Sequence, residues 1–258
     1  NLVADDTNGR TDVFVHNRQT GETTRVSVDS YGAQSNENSW GASISADGRY
    51  VAFMSDATNL VADDTNGRTD VFVHDRQTGR TTRVSVGTGN VQSNGISYNA
   101  GISADGRYVA FESWATNLVA NDTNGKRDVF VYDRQTGETT RVSVGTGNIQ
   151  SDDDSYRPSI SADGQYVAFD SWATNLVASD NNTATDIFVH DRQTVQTTRV
   201  SVGTGNIQSN GNSYVASISA DGRYVAFDSR ATNLVAGDTN GLTDVFVHDR
   251  ETGETTMV

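Results

Sequence analysis

The sequence predicts an all-β protein, and more closely a β-propeller built from four-stranded antiparallel blades. Three observations lead to this fold class. The chain of 258 residues carries one unit that recurs at a constant spacing of 58 residues. Each unit contains four short stretches rich in β-branched and aromatic residues, and Gly, Asn and Asp clusters separate them. No stretch has the periodicity of an amphipathic helix.

Two short motifs recur in register and define the repeat. Asn-Leu-Val-Ala begins at residues 1, 59, 117, 175 and 233, whereas Ser-Ala-Asp-Gly begins at residues 45, 103, 161 and 219. Because the second motif occurs once less often than the first, the chain contains four complete units and one partial unit. We therefore predict a single five-bladed propeller domain, with a half blade at 1–28 and full blades at 29–86, 87–144, 145–202 and 203–258.

The four predicted strands of a unit follow one another as a meander. In the unit 87–144 they cover residues 99–103, 107–111, 128–132 and 139–144. Asp-Gly and Thr-Gly turns join the first strand to the second and the third to the fourth, because glycine supplies the positive φ that tight turns need. Long loops make the other connections. Alternate connections of a meander lie at opposite ends of a sheet, so we expect ligands to bind at the end with the long loops.

Composition and charge exclude several classes of function. The net charge of −14 disfavours nucleic acids and anionic membrane surfaces, because phosphate groups repel an acidic protein. The chain has no cysteine, which excludes disulfides and thiolate metal sites. Its apolar runs are too short to predict insertion into a membrane. The chain does not begin with Met, and we interpret it as a processed or partial chain.

The repeated motifs resemble those of the TolB-like β-propeller family. Ser-Ala-Asp-Gly-Arg-Tyr-Val-Ala-Phe is followed in each unit by a strand such as Asp-Val-Phe-Val-His and then by a Thr-Gly turn. The resemblance covers nearly the whole chain and implies a propeller fold. Two features differ from the family pattern: Ala replaces Pro before Asp-Gly, and an insertion containing Asp-Thr-Asn-Gly separates the second and third strands. The insertion resembles a variant found in large exported bacterial proteins, which implies an extracellular, cell-surface or periplasmic location.

The insertion carries the strongest chemical signal, an Asp-x-Asn-x-x-x-Asp pattern in every unit. Oxygen ligands at alternate positions of a tight loop, followed by a further carboxylate, are typical of Ca²⁺ sites. We predict up to one Ca²⁺ per repeat. The predicted ligands are Asp6, Asn8 and Asp12; Asp64, Asn66 and Asp70; Asp122, Asn124 and Asp128; Asp180, Asn182 and Asp186; and Asp238, Asn240 and Asp244.

A purely structural interpretation of the same loops stays open. Asp-Thr-Asn-Gly is also a good Asx-turn, and the final Asp is able to cap the third strand. The fourth copy favours calcium, because it loses the Gly of its sister loops but keeps Asp180, Asn182 and Asp186. The negative net charge also favours calcium, because bound cations would reduce the repulsion among the carboxylates of the five loops.

The remaining polar and aromatic positions predict structural roles. His16, His74, His190 and His248 share one repeat position with Tyr132, so we interpret them as structural strand residues, solvated or half-buried. We expect Arg83 and its equivalents to form surface ion pairs. Trp114 and Trp172 share a loop position that Asp56 and Arg230 occupy elsewhere. Aromatic side chains there either stack on sugar rings or seal neighbouring blades.

These patterns favour a non-enzymatic role, because the chain has no recognisable catalytic motif and nearly every polar residue is repeated. We expect a calcium-stabilised extracellular scaffold or adhesive module that binds a protein or a glycan at the long-loop end. The alternative is a lectin-like or carbohydrate-active propeller. We also expect self-association, even into fibres, because the half blade lacks its first two strands and leaves open strand edges.

Overall fold

The computed structural model describes residues 2–258, and within this range it contains 24 strands and no helix. Asn1, the first residue of the predicted half blade, lies outside the described residues. Since residues 2–258 form no helices, they include none that is long and apolar enough to span a membrane. The all-β propeller prediction is confirmed by four sheets of four antiparallel strands each.

Every blade has the same order of strands. The half blade holds β1 (Phe14–His16) and β2 (Thr23–Arg25). Blade 1 holds β3 (Ser39–Ile44), β4 (Tyr50–Ser55), β5 (Asp70–Asp75) and β6 (Arg80–Arg83), and the hairpin β7 (Val86–Gly87) and β8 (Val91–Gln92) follows it. Blade 2 holds β9 (Ser97–Ile102), β10 (Tyr108–Ser113), β11 (Asp128–Asp133) and β12 (Glu138–Arg141), followed by β13 (Val144–Gly145) and β14 (Ile149–Gln150). Blade 3 holds β15 (Ser155–Ile160), β16 (Tyr166–Ser171), β17 (Asp186–Asp191) and β18 (Gln196–Arg199), followed by β19 (Val202–Gly203) and β20 (Ile207–Gln208). Blade 4 holds β21 (Ser213–Ile218), β22 (Tyr224–Ser229), β23 (Asp244–Asp249) and β24 (Glu254–Met257).

The first strand of each blade is longer than predicted and contains a β-bulge. In blade 1 the register between β3 and β4 shifts between Trp40 and Ser43. The bulge requires one residue with positive φ, and the four blades supply Gly41, Asn99, Arg157 and Val215 at this position. The long linkers between blades were expected to be plain loops, but three of them contain a short hairpin, such as β7 with β8. The extra hairpin gives partners to backbone groups that would otherwise be unpaired.

By its contacts the chain divides into two compact units, Asn1–Ala120 with Tyr132–Thr139, and Asn121–Val131 with Thr140–Val258. Each unit has its own apolar core. In the second unit, Ile187 and Val189 of blade 3 pack with Phe227 and Phe246 of blade 4. In the first unit, Val13 of the half blade packs in the same way with the two phenylalanines of blade 1, Phe53 and Phe72. One face of a sheet therefore presents phenylalanine, and the other presents small or β-branched residues that fit against it.

At the tight-turn end, a tyrosine of one blade packs on the glycine turn of the next blade. Gly106 has a φ of +72°, and an added Cβ would overlap the ring of Tyr50. The guanidinium of Arg134 lies 4.1 Å from the centre of that ring, and its Nη1 donates to the Gly106 carbonyl at 2.5 Å. In the second unit, Tyr166, Gly222 and Arg250 make the equivalent contacts.

A threonine of each fourth strand ties its blade to the linker that precedes the blade. Thr81 Oγ1 donates to the carbonyl of Val28 at 2.5 Å, across 53 residues of chain. The same hydrogen bond joins Thr139 to Val86, Thr197 to Val144 and Thr255 to Val202.

Candidate functional site

The predicted ligand triplets lie in five loops, here called acidic loops 1–5 in chain order. In a complete blade the loop connects the second strand to the third, and the final Asp is the first residue of the third strand, as Asp70 is in β5. This strand is buried on both faces, so Asp70, Asp128 and Asp186 are fully buried. The structure brings the three predicted residues together in acidic loops 1–4, and in acidic loop 5 it joins Asn240 to Asp244.

The asparagine of each loop forms an Asx-turn and also holds the final aspartate. In acidic loop 2, Asn66 Oδ1 accepts from the backbone N–H of Arg68 at 2.9 Å, and Asn66 Nδ2 donates to Asp70 Oδ2 at 2.9 Å. The other four loops have both hydrogen bonds. A backbone N–H requires an oxygen acceptor, which fixes the orientation of the amide. The amide therefore turns its donor towards the carboxylate.

An arginine from the fourth strand lies between the two aspartates in acidic loops 1–4. Arg83 Nη1 is 3.2 Å from Asp64 Oδ1 and 3.8 Å from Asp70 Oδ2. Arg25, Arg141 and Arg199 form the same pairs, and these four side chains are only 8–11% exposed. The prediction that Arg83 and its equivalents form surface ion pairs is therefore wrong. Arg83 lies opposite Phe72 in the register of β5 and β6, and its stem reaches back across the sheet to the loop.

The contact between guanidinium and carboxylate is close in distance but imperfect in direction. Arg83 Nη1 and Arg199 Nη1 lie near carboxylate oxygens, yet they make no aligned hydrogen bond, and Asp122 Oδ1 accepts none. In acidic loops 2 and 4 the contacts are therefore ion pairs held together mainly by charge, whereas Arg25 also donates hydrogen bonds to Asp6 and Asp12, and Arg141 donates one to Asp128. An arginine at this position reduces the repulsion between the two aspartates without satisfying every polar atom.

Serine and glutamine side chains complete the cluster, and the sequence reasoning missed them. Ser85 Oγ donates to Asp70 Oδ1 at 2.5 Å, and Gln92 Nε2 donates to Asp64 Oδ1 at 2.7 Å. Ser93 Oγ lies 3.5 Å from the same Asp70 oxygen. A signal was present in the sequence, because these residues recur at fixed repeat positions. They are Ser27, Ser143 and Ser201; Gln34, Gln150 and Gln208; and Ser35, Ser151 and Ser209.

Burial governs the electrostatics of these loops. It raises the pKa of Asp64 and Asp180, and the neighbouring Asp70 and Asp186 carboxylates add to this effect by repulsion. The same two causes raise the pKa of Asp122 to about 6. The nearby guanidinium acts in the opposite direction but does not cancel the cost of burial.

Acidic loop 5 has no arginine. Met257 lies opposite Phe246 in β24, as Arg83 lies opposite Phe72 in β6. Asp238 is 9% exposed, and its buried Oδ1 has no hydrogen-bond partner. Asp244 Oδ2 is also buried and unpartnered. Asn240 still donates to Asp244 Oδ1 at 3.1 Å, so the turn itself is kept.

Residues 2–258 contain no group of three or more His, Cys, Asp or Glu side chains arranged to hold a metal ion. Each acidic loop offers two carboxylates, and its third predicted ligand, the Asn, uses its oxygen in the Asx-turn. A cation in these loops would therefore rely on two carboxylates together with backbone carbonyls or water.

The histidines act as buried hydrogen-bond donors. His190 Nδ1 lies 2.9 Å from Thr197 Oγ1, and His74 and His248 make the same contact with Thr81 and Thr255. Since the Thr197 hydroxyl gives its single hydrogen to the Val144 carbonyl, His190 Nδ1 must carry a proton and donate it. Burial lowers the pKa of His190 to about 4. The structural interpretation is confirmed, although these three side chains are more buried than expected.

Exposed tryptophans occur at the long-loop end of blades 2 and 3. Trp114 is 40% exposed, and Tyr98 packs edge-on against its ring with centroids 6.3 Å apart. Trp172 is 41% exposed. On blade 3, the ring of Tyr156 has its centre 4.6 Å from the guanidinium of Arg127, which belongs to acidic loop 3 of blade 2. Neither tryptophan is buried in a seal between blades.

The comparisons with known proteins concern the fold. No protein-family model matches the chain, and no curated protein matches it. TolB from Acinetobacter baumannii is 18% identical, with a TM-score of 0.54 over 95% of this chain and 48% of its own. A putative TolB from Agrobacterium tumefaciens is 17% identical, with a TM-score of 0.56 over 96% of this chain and 69% of its own.

An enzyme has the same architecture. An oligogalacturonate lyase in complex with manganese is 15% identical, with a TM-score of 0.59 over 96% of this chain and 59% of its own. This chain spans about half of the Acinetobacter TolB and somewhat more of the lyase. Likeness at these identities shows the fold and leaves the activity open. The chain has the β-propeller fold of the TolB-like proteins.

Proposed function

We propose that this chain is a non-enzymatic, exported propeller scaffold that binds a protein or a glycan at the long-loop end of its blades. The observation that carries the proposal is the contrast between repeated and unrepeated side chains. The repeated polar residues of acidic loops 1–4 are buried and bonded to one another. The exposed Trp114 and Trp172 are not part of the full repeat.

Catalysis needs polar groups that remain accessible to a substrate. The carboxylates of acidic loops 1–4 contact arginine, serine and asparagine of this chain, and in loops 2 and 4 they also accept from a glutamine. Such contacts stabilise loops. The known propellers of this fold include enzymes and TolB proteins, so the support for a non-enzymatic role comes from these local contacts.

A glycan is the alternative ligand class. The exposed Trp114 packs against the half-buried Tyr98, and exposed aromatic rings stack on the apolar faces of sugar rings. A carbohydrate-active enzyme would use the same platform but would also release a product.

The test is binding to a glycan array, followed by analysis of the bound glycans for cleavage. Scaffold function predicts that bound glycans are not cleaved. The double variant Trp114→Ala, Trp172→Ala should bind more weakly than the wild type. Tyr31→Ala is the matched control, because Tyr31 is an exposed aromatic residue on a linker. Release of cleaved products by the intact chain, abolished by substitution of an acidic residue, would overturn the non-enzymatic proposal.

Calcium stabilisation is part of the proposal. Burial raises the pKa of Asp64, Asp122 and Asp180, so ionising these carboxyl groups costs free energy. A bound cation would offset this free-energy cost, which supports the calcium part of the proposal. A cation that binds only the folded state raises the melting temperature by mass action. The test is thermal unfolding in CaCl₂ and in EDTA, and an identical melting temperature in both would remove calcium from the proposal.

Self-association is the last part of the proposal. Val245 is 45% exposed and Tyr224 is half-exposed, and both belong to blade 4. We propose that these apolar side chains contact a second copy of the chain. Light scattering should find oligomers that Val245→Lys disperses, whereas a monodisperse monomer at all concentrations would contradict the proposal.

A further inference from the structure

A cleft lies between blades 1 and 2 at their tight-turn end. It has a volume of about 310 Å³, which is at the lower end of the range for small-molecule sites. One side is formed by Tyr50 of blade 1, and the rest by the two tight turns of blade 2. The lining residues of this cleft, here called the Tyr50 cleft, are Tyr50, Asp105, Gly106, Arg107, Arg134 and Gln135.

Three side chains of the Tyr50 cleft have polar atoms without a partner among residues 2–258. Arg107 donates Nε and Nη2 to the carboxylate of Asp133, whereas its Nη1 makes no hydrogen bond in that range. Asp105 Oδ1 accepts from Ser103 Oγ and from the backbone N–H of Arg107, and its Oδ2 accepts from no residue in that range. The exposed Gln135 likewise makes no hydrogen bond there through its side-chain amide. Because Asp133 fixes the plane of the guanidinium, the remaining donors of Arg107 have defined directions.

Blade 4 shows which group fits beside this arginine. Arg223 donates Nε and Nη2 to Asp249, in the same way as its equivalent Arg107 in blade 2. Glu251 stands at the repeat position of Gln135, and its Oε2 lies 2.5 Å from Arg223 Nη1. The third nitrogen of the arginine therefore has a carboxylate as its partner in blade 4. In blade 2 the chain supplies an amide instead, so a carboxylate from outside the chain is able to take this place.

We propose that the Tyr50 cleft binds a small carboxylate that also carries hydroxyl groups, such as a uronic acid. The ligand carboxylate contacts Arg107 Nη1, in the place that Glu251 takes in blade 4. Asp105 would repel a bare anion, but its Oδ2 accepts from a ligand hydroxyl group, and the amide of Gln135 bonds to another. The cleft lies at the end of the blades opposite the exposed tryptophans, so this inference does not rest on the proposed function.

Binding in the Tyr50 cleft should be weak. The Arg107 side chain is 36% exposed, so water and salt screen its contact with a ligand. We expect a dissociation constant on the order of 1 mM. The net charge of −14 opposes the approach of any anion, and salt at about 0.15 M limits this repulsion to a range of roughly 8 Å. Titrations therefore need a constant ionic strength.

The test is a two-dimensional NMR titration with sodium glucuronate that follows the backbone amide of Gly106, which lines the cleft. Glucuronate should shift this signal. Glucose has no carboxylate and should leave it unchanged, and acetate has no hydroxyl groups and should bind more weakly. The amide of Gly222, the equivalent glycine of blade 4, is the internal control. Its signal should not move, because Glu251 already contacts Arg223.

Exchanging glutamine and glutamate between blades tests the site at exposed positions. Gln135→Glu supplies a carboxylate within blade 2 and should remove the response of Gly106. Gln193→Glu adds the same charge in blade 3, where Gln165 replaces the arginine, so this matched control should keep the response. The reciprocal variant, Glu251→Gln, should make the blade 4 signal respond to glucuronate.

Arg107→Gln removes the guanidinium and should also remove the response. The variant is expected to fold, because blade 3 carries Gln165 at this position and its amide donates to Asp191 at 3.0 Å.

Several results would overturn the inference. They are no shift of Gly106 with glucuronate, an equal shift with glucose, and an undiminished response of Gln135→Glu or Arg107→Gln. Acetate that binds as tightly as glucuronate would overturn the assignment of a hydroxylated ligand. The double variant Trp114→Ala, Trp172→Ala should respond to glucuronate as the wild type does, so this inference and the proposed function fail separately.

Discussion

The two ends of a blade hold arginine in different ways. At the long-loop end, Arg83 is buried between Asp64 and Asp70, and its charge is needed because burial removes both carboxylates from water. At the tight-turn end, Arg107 forms a two-pronged ion pair with Asp133 at 2.7 and 3.0 Å, and its side chain is partly in solvent. Arginine therefore neutralises buried carboxylates at the long-loop end and forms a partly solvated ion pair at the tight-turn end. From this difference we expect the contribution of each arginine to stability to follow its burial rather than the number of its hydrogen bonds.

The largest expected effect comes from Arg83→Met. Removing one partner of a buried ion pair leaves the others charged and unpaired, which costs about 3–5 kcal/mol. The free energy of unfolding in urea, without added divalent cation, measures this loss. Arg80→Met, on the exposed side of the same strand, is the matched control and should change stability by less than about 0.5 kcal/mol. Equal effects of the two substitutions would show that burial does not decide the outcome.

A smaller loss of stability, which appears only at acidic pH, is expected from the protonation of His190. Burial lowers the pKa of His190 from 6.5 to about 4, so the unfolded chain takes up the proton first as the pH falls. The stability that comes from the neutral ring is complete above pH 6.5 and is lost as the pH falls towards 4.

His190→Tyr tests this, because Tyr132 occupies the same repeat position in blade 2 and is buried there. Relative to the variant, the wild type should lose about 3 kcal/mol between pH 7 and pH 4. The raised pKa of Asp122 acts in the opposite direction over this range, which is why the difference between the two chains is the quantity to measure. A constant difference across the range would contradict the prediction.

Next in size is Gly106→Ala at the tight-turn end. The substitution places a methyl group in the ring of Tyr50, and overpacking of this kind costs about 1–3 kcal/mol. Gly89→Ala is the control, because Gly89 has a similar φ of +76° with open space around it. Both variants share the cost of a non-glycine residue at positive φ. Melting temperatures that fall equally would show that the tyrosine moves aside freely.

The smallest effect is expected for Arg107→Ala. The Arg107 side chain is about one-third exposed, so water and salt screen its ion pair with Asp133. The melting temperature should fall less than for Gly106→Ala, and the difference from the wild type should shrink at high salt. A loss that is large and independent of salt would place this arginine in the same class as Arg83.

The fold was readable from the sequence because local patterns and the repeat agree. Stretches rich in β-branched and aromatic residues, bounded by Asp-Gly and Thr-Gly turns, located the strands to within a few residues, as for β11, predicted at 128–132 and found at Asp128–Asp133. The first strand was misplaced because a bulge with positive φ accepts Gly41, Asn99, Arg157 or Val215, which share no sequence signal. The residue bounds of the single predicted domain stay a prediction.

The acidic loops were recognised, but their environment was not. Asp64 and Asp70 are close in sequence to Asn66, and this short spacing made the triplet visible. Arg83 and Gln92 lie farther along the chain, and only the pairing of β5 with β6 and the linker hairpin bring them to the loop. Charge counting over the loop alone therefore left out the arginine that lies between the two aspartates. Calcium in these loops stays a prediction.

The threonine hydrogen bonds between each fourth strand and the preceding linker have a mechanical consequence. Thr81 fastens a chain segment of 53 residues to Val28, and Thr139 fastens the next segment to Val86. Each clasp closes the stretch that contains the strands of one blade, and the strand bearing it belongs to that same blade. We therefore expect a pulling force along the chain to break this hydrogen bond when the fourth strand separates from its blade. Because each blade has its own bond, extension under force should occur in steps of about one repeat.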